Sequence, residues 1–121
     1  MANLGKKITG GRYHKRRKKK FHERTRPPRI VKVGKTKTKT FRLMGGNKKT
    51  VLLVADTVNL LGKDKKSKKV KIKKVLETPS NRFLARQNIL TKGAIIETEL
   101  GKARITNRPG QEGTVNAILI D

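Results

Sequence analysis

The chain has 121 residues, with 33 Lys and Arg against 8 Asp and Glu, a formal net charge of +25. Hydrophobic residues make up 33% of it, below the about 45–50% typical of a soluble domain, and its aromatic residues are Tyr13, Phe21, Phe41 and Phe83. The length admits one ordinary domain and the composition excludes a large core spread over the whole chain; a charge of this size opposes compaction unless a polyanion neutralises it. The lack of cysteine excludes disulfides, thiolate metal sites and Cys nucleophiles. No apolar run approaches the roughly 20 residues needed to span a bilayer. Residues 1–8 hold no apolar segment of signal-peptide type, so an intracellular protein is expected.

The charge is unevenly placed. Residues 1–50 hold 19 Lys/Arg and one acid, Glu23; residues 51–88 hold 10 bases and three acids; residues 89–121 hold four of each. The first segment, residues 1–34, reads as a basic extension. It contains six consecutive bases, Lys15-Arg16-Arg17-Lys18-Lys19-Lys20, and no apolar helical period. Like charges four residues apart oppose an isolated helix, and Pro27-Pro28 imposes extended backbone. The arm is therefore expected to be disordered when free and to order on a partner.

From residue 35 a folded region is expected, running to residue 121. Lys35-Thr36-Lys37-Thr38-Lys39-Thr40-Phe41-Arg42-Leu43 alternates strictly, which predicts a strand with Phe41 and Leu43 setting its register. Gly45-Gly46-Asn47 predicts a turn. Residues 50–55 predict a central strand and residues 58–61 a short one. Residues 62–69 form a charged loop. Residues 69–73 alternate again, Val70 and Ile72 inward. Thr78 is placed as the cap of a short helix with Pro79 at its first position, ending near Asn88. Residues 94–99 and 102–106 read as a hairpin, residues 108–113 as a turn, and residues 114–120 as a closing strand. The class expected is mainly β: a small closed or partly open β-barrel with one short helix and an extended basic N-terminal arm.

Catalysis finds little support. His14 and His22 lie in the arm, and Ser67 and Ser80 are isolated in polar segments, so no nucleophile, base and orienting acid gather. Gly34-Lys35-Thr36 imitates the end of a phosphate-binding P-loop, but Arg29 stands where that motif needs glycine. No catalytic residue, metal site, cofactor or small-molecule substrate is assigned.

The basic clusters point to nucleic acid. Lys and Arg neutralise phosphates and release counterions, Arg guanidiniums fork onto phosphate oxygens, and the Gly10-Gly11 pair lets backbone N–H groups approach phosphate. Few aromatics argue against a base-stacking platform, and no helix-turn-helix or zinc-finger spacing appears. Recognition of a folded RNA through its backbone and shape is what remains. A DNA-compacting, nucleoid-type protein is the alternative. A membrane-active peptide is disfavoured because the arm has no apolar face.

Three blocks carry a family resemblance. One is Lys7-Ile8-Thr9-Gly10-Gly11-Arg12 with the basic run to Lys20. Another is Arg42 with Gly45-Gly46-Asn47-Lys48. The longest is Asn88-Ile89-Leu90-Thr91-Lys92-Gly93-Ala94-Ile95-Ile96-Glu97-Thr98, continuing through residues 103–113 to Val115-Asn116-Ala117-Ile118-Leu119-Ile120. In these the chain resembles small-subunit ribosomal protein eight of the archaeal and eukaryotic type, at the archaeal length. It departs from that pattern over residues 21–28, which lack an expected Leu-Gly or Met-Gly step. The resemblance implies a cytoplasmic constituent of the small ribosomal subunit, its partners being ribosomal RNA and neighbouring ribosomal proteins. It implies RNA contacts at Lys6, Lys7, Thr9, Gly10, Gly11, Arg12, His14, Lys15, Arg16, Arg17, Lys18, Lys19 and Lys20, with Arg42, Lys48, Arg104 and Arg108 added from the other blocks. Arg24 and Arg26 join them on charge alone. Gly110 and Gly113 match the family too but read as turn residues.

Overall fold

The computed structural model describes residues 5–120; the first four residues of the arm and Asp121 lie outside them. Residues 5–30 are all exposed, and regular burial begins at Val31, which is fully enclosed. The described residues beyond it form eight strands and one α-helix: β1 (Lys32–Val33), β2 (Lys37–Arg42), β3 (Lys48–Ala55), β4 (Thr57–Leu61), β5 (Ser67–Glu77), α1 (Arg82–Arg86), β6 (Ile95–Thr98), β7 (Gly101–Ile105) and β8 (Asn116–Leu119).

Strands β4 to β8 close into a barrel, in chain order around the wall. Consecutive strands are antiparallel, and β8 meets β4 in parallel, Asn59 opposite Asn116. Five strands running alternately up and down leave the first and last pointing the same way, so a parallel seam is forced by the odd number. Strands β1, β3 and β2 make a separate three-stranded sheet with β3 in the middle, as residues 50–55 predicted. The Lys-Thr repeat thus belongs to this sheet and not to the barrel wall.

One core joins the two layers. Val31, Leu52 and Ala55 from the sheet region pack with Val58, Leu60, Val70, Ile72, Val75, Ile96, Ala103, Ile105 and Ala117 from the barrel. Inward alternation holds along β4 (Val58, Leu60) and β7 (Ala103, Ile105), as a period of two requires. Strand β5 needs a correction of phase. Val70 and Ile72 point inward, and strict alternation would bring Lys74 in next. A register shift between Ile72 and Lys74 accommodates one extra residue, so Lys74 stays out and Val75 is buried. This bulge lets β5 run to Glu77, past the predicted end at residue 73.

Three local expectations are corrected. Leu43 is 47% exposed and lies beyond the strand, so Phe41, half-buried, anchors β2 without it. The Thr40 and Thr50 hydroxyls, 3.1 Å apart, reinforce that register. Lys35 and Thr36 precede the strand; Thr36 Oγ1 bonds the Asp56 carboxylate instead. The helix is capped by Asn81, whose Oδ1 accepts the Phe83 N–H at 3.0 Å. Pro79 sits inside a turn closed by the Asn81 N–H to the Thr78 carbonyl, where its fixed φ serves equally well, and Thr78 is buried with its hydroxyl unpaired.

Candidate nucleic-acid interface

Every arm residue from Gly5 to Ile30 presents its side chain to solvent, and 12 of these are Lys or Arg. The arm has local order all the same. Lys7 N–H donates to the Gly11 carbonyl at 2.7 Å and Gly10 N–H to the Lys7 carbonyl at 3.0 Å, making a tight turn with Lys6 bridged to Arg12. Gly10 has φ +81, in the left-handed region that glycine adopts without strain. The turn gathers Lys6, Lys7 and Arg12 around Thr9, Gly10 and Gly11. The Lys7 ammonium lies 5.5 Å from the Tyr13 ring centre.

Glu23 is the one acid among residues 5–30. Its carboxylate takes a two-pronged bond from Arg17, Nη1 to Oε2 at 3.0 Å and Nη2 to Oε1 at 2.7 Å, and a third from the Lys20 backbone N–H at 2.9 Å. These bonds, Arg17 first, hold the carboxyl below its ordinary pKa. Glu23 thereby closes a short turn of 3₁₀ helix, Phe21–Glu23, at the end of the basic run. Arg17 is thus an internal partner of Glu23 while remaining exposed, as are His14, Lys15, Arg16, Lys18, Lys19 and Lys20.

At its base the arm is tied to the folded body. The Arg29 guanidinium lies 4.6 Å from the Phe41 ring centre and donates to the Gly110 carbonyl at 3.4 Å. Lys39 lies 5.1 Å from the same ring. On the neighbouring strand, Lys49 Nζ reaches Gln111 Oε1 at 2.6 Å. The arm's exit, the β2–β3 hairpin and the turn of residues 108–113 therefore converge, and Arg26, Pro27 and Pro28 line a shallow depression there with Phe41. In that hairpin Arg42 and Lys48 are directly opposed across the strands. Two like charges facing each other cost stability unless an anion lies between them. Arg104 projects from β7, opposite Ile95 and Ile118 and apart from the arm's base; Arg108 opens the turn, its carbonyl accepting from the Gln111 and Glu112 N–H groups. Gly110 packs against the Arg29 backbone, where an added Cβ would stand 3.1 Å from the Arg29 carbonyl oxygen.

A second basic surface lies on β5. Lys69, Lys71 and Lys73 are exposed along its outward face, and Lys74 pairs with Glu97 at 3.4 Å. None of these was among the residues assigned to RNA, although the alternation at residues 69–73 already placed lysines outward; the resemblance blocks skip this segment. Among the described residues no group of His, Asp and Glu is arranged to hold a metal ion, and no helix is long and apolar enough to cross a membrane.

Comparison with known proteins agrees with the resemblance. The family model described as ribosomal protein S8e matches residues 2–120. A protein of Methanocorpusculum labreanum, named small ribosomal subunit protein eS8, is 49% identical over 96% of this chain and 94% of its own length. Proteins of the same name from Sulfurisphaera tokodaii and Nanoarchaeum equitans are each 48% identical, over 98% and 93% of this chain and 94% and 90% of their own lengths. These relatives are ribosomal proteins and not enzymes. A match that runs from the basic arm through the last barrel strand leaves one conclusion: the chain belongs to the ribosomal protein S8e family.

Proposed function

We propose that this chain is a structural constituent of the small ribosomal subunit, acting in the cytoplasm, and that it clamps ribosomal RNA. In this reading residues 1–34 are the RNA-binding extension, its last residues from Val31 packed into the folded body of residues 35–121 that holds it in place, beside neighbouring ribosomal proteins. The observation that carries it is the state of the arm: 12 bases exposed over residues 5–30, with Glu23 engaged internally. Lys6, Lys7, Arg12, Lys15, Arg16, Lys18, Lys19, Lys20, Arg24 and Arg26 neutralise phosphate. Thr9 and Gly11 offer backbone N–H groups at a tight turn where Gly10, without a side chain, lets phosphate approach, and His14 lies within reach of the same strand. The Arg42–Lys48 pair shares an anion whose charge relieves their mutual repulsion, and Arg104 and Arg108 extend the surface. The lysines of β5 add a second face.

If about ten phosphates are contacted, the logarithm of RNA affinity falls with the logarithm of salt at a slope of about −7 to −9. A titration against small-subunit ribosomal RNA measures it, and a slope near zero overturns the proposal. Fractionation of cell extract separates it from DNA compaction: sedimentation with small subunits after a moderate salt wash supports the proposal, and recovery with nucleoid DNA refutes it.

A further inference from the structure

The barrel interior contains no aromatic side chain; its core is built from Val, Leu, Ile and Ala. The four rings are deployed elsewhere. Tyr13 is 54% exposed, Phe21 90% and Phe83 56%, and Phe41 is held between Arg29 and Lys39. Phe83 is the one carried on the α-helix. The inner face of α1 is Leu84 and Ala85, half-buried, with Ala85 against the core. Its ends are fixed by the Asn81 cap and by the Ile89 N–H to the Leu84 carbonyl at 3.1 Å. Phe83 projects from the outer face, its ring 5.7 Å from the Arg82 guanidinium and 5.8 Å from that of Arg86. No acid occurs between Glu77 and Glu97 in the sequence.

A lone exposed phenylalanine is ordinary. One flanked by two guanidiniums on a fixed turn of helix, in a stretch without acids, combines a π face with two phosphate-seeking charges. We infer that Arg82, Phe83 and Arg86 form a base-stacking site for an unpaired nucleotide of RNA: the base stacks on the ring or on a guanidinium plane beside it, and the free guanidinium binds the flanking phosphate. This rests on the RNA-binding reading above but uses different chemistry, since phosphate neutralisation by the arm does not distinguish paired from unpaired bases. A protein partner is the competing occupant. The run without acids between Glu77 and Glu97 in the sequence and the pairing of ring with guanidinium favour a polyanion whose bases are flat.

The test uses the full chain and two RNA hairpins of equal length, one fully paired and one carrying a single bulged 2-aminopurine. The wild-type chain is expected to prefer the bulged hairpin by roughly 5- to 100-fold and to quench the 2-aminopurine fluorescence. Phe83→Leu is expected to lose the preference and the quench while keeping the salt slope; Phe83→Tyr, which retains a ring, is expected to keep all three. No preference in the wild type, or an undiminished preference in Phe83→Leu, overturns the stacking site while a steep salt slope leaves the RNA-binding reading intact. A salt-independent affinity for both hairpins overturns both. Zero-length photocrosslinking in assembled small subunits decides the occupant: a nucleotide joined to the peptide bearing Phe83 supports the inference, and a protein joined there refutes it.

Discussion

Leu52 and Leu53 offer a test of whether the β1–β3 sheet and the barrel share one core. They are adjacent on β3, so their side chains leave opposite faces of the sheet. Leu52 is 2% exposed and packs in the core cluster with the barrel residues, while Leu53 is 36% exposed. Deleting the same three carbons at each therefore removes very different contacts. Leu52→Ala costs the lost transfer energy and leaves a cavity, together about 2–5 kcal/mol. Leu53→Ala costs about 0.5–1 kcal/mol, because its side chain is already partly hydrated. A folded body of about 90 residues has a total stability of roughly 5–13 kcal/mol, so the first loss is a large fraction of the whole. In a domain of this size it lowers the Tm by about 10–30 °C. Urea and thermal unfolding followed by circular dichroism, in salt high enough to screen the arm, measure both variants. Equal losses, or a loss below about 1 kcal/mol for Leu52→Ala, would refute the shared core.

Three further outcomes are expected. Replacing Lys18, Lys19 and Lys20 together by Gln leaves the unfolding curve unchanged, since all three are exposed, and reduces the magnitude of the salt slope for RNA by about 2–3; an unchanged slope places these residues off the interface. Glu23, with its pKa lowered chiefly by Arg17, favours the turn of residues 20–24 above the ordinary carboxyl range and loses that contribution as the pH falls through its own lowered pKa. Carboxyl NMR titration should show a depressed midpoint that moves up in Arg17→Gln; coincident midpoints argue against the ion pair. Asn88 holds φ +52, and its Oδ1 accepts the Val75 N–H at 3.1 Å beside the β5 bulge. Asn88→Ala strains the backbone and orphans that donor, costing about 1–3 kcal/mol by chemical denaturation.

The exposure of the arm was legible because its signal is composition. An arm crowded with bases and lacking an apolar period has nothing to bury, so exposure followed from the residues themselves, and residues 5–30 are all exposed. Leu43 and Thr78 were misplaced for a common reason. Each has a residue type compatible with the expected role, and each was pre-empted by a neighbour: Phe41 anchors β2 first, and Asn81 caps the helix. The β5 lysines were seen to face outward but were not assigned to RNA, because the blocks that carry the resemblance skip that segment.

The amino-acid sequence alone determined where charge and apolar side chains lie along the chain. From that came a mainly β body, its short strands and an arm without a core, because period and composition are local properties. The tertiary structure decided everything that depends on which segments meet. It separated the Lys-Thr hairpin into its own sheet, closed β4 to β8 with a parallel seam, and used a bulge to bring Val75 inward in place of Lys74. It also set where the aromatic rings go: the five-stranded barrel fills its interior with aliphatic side chains and leaves Phe83 outside between two arginines. Which side chains the core admits is set by the space between the strands, and that space exists only once they have closed.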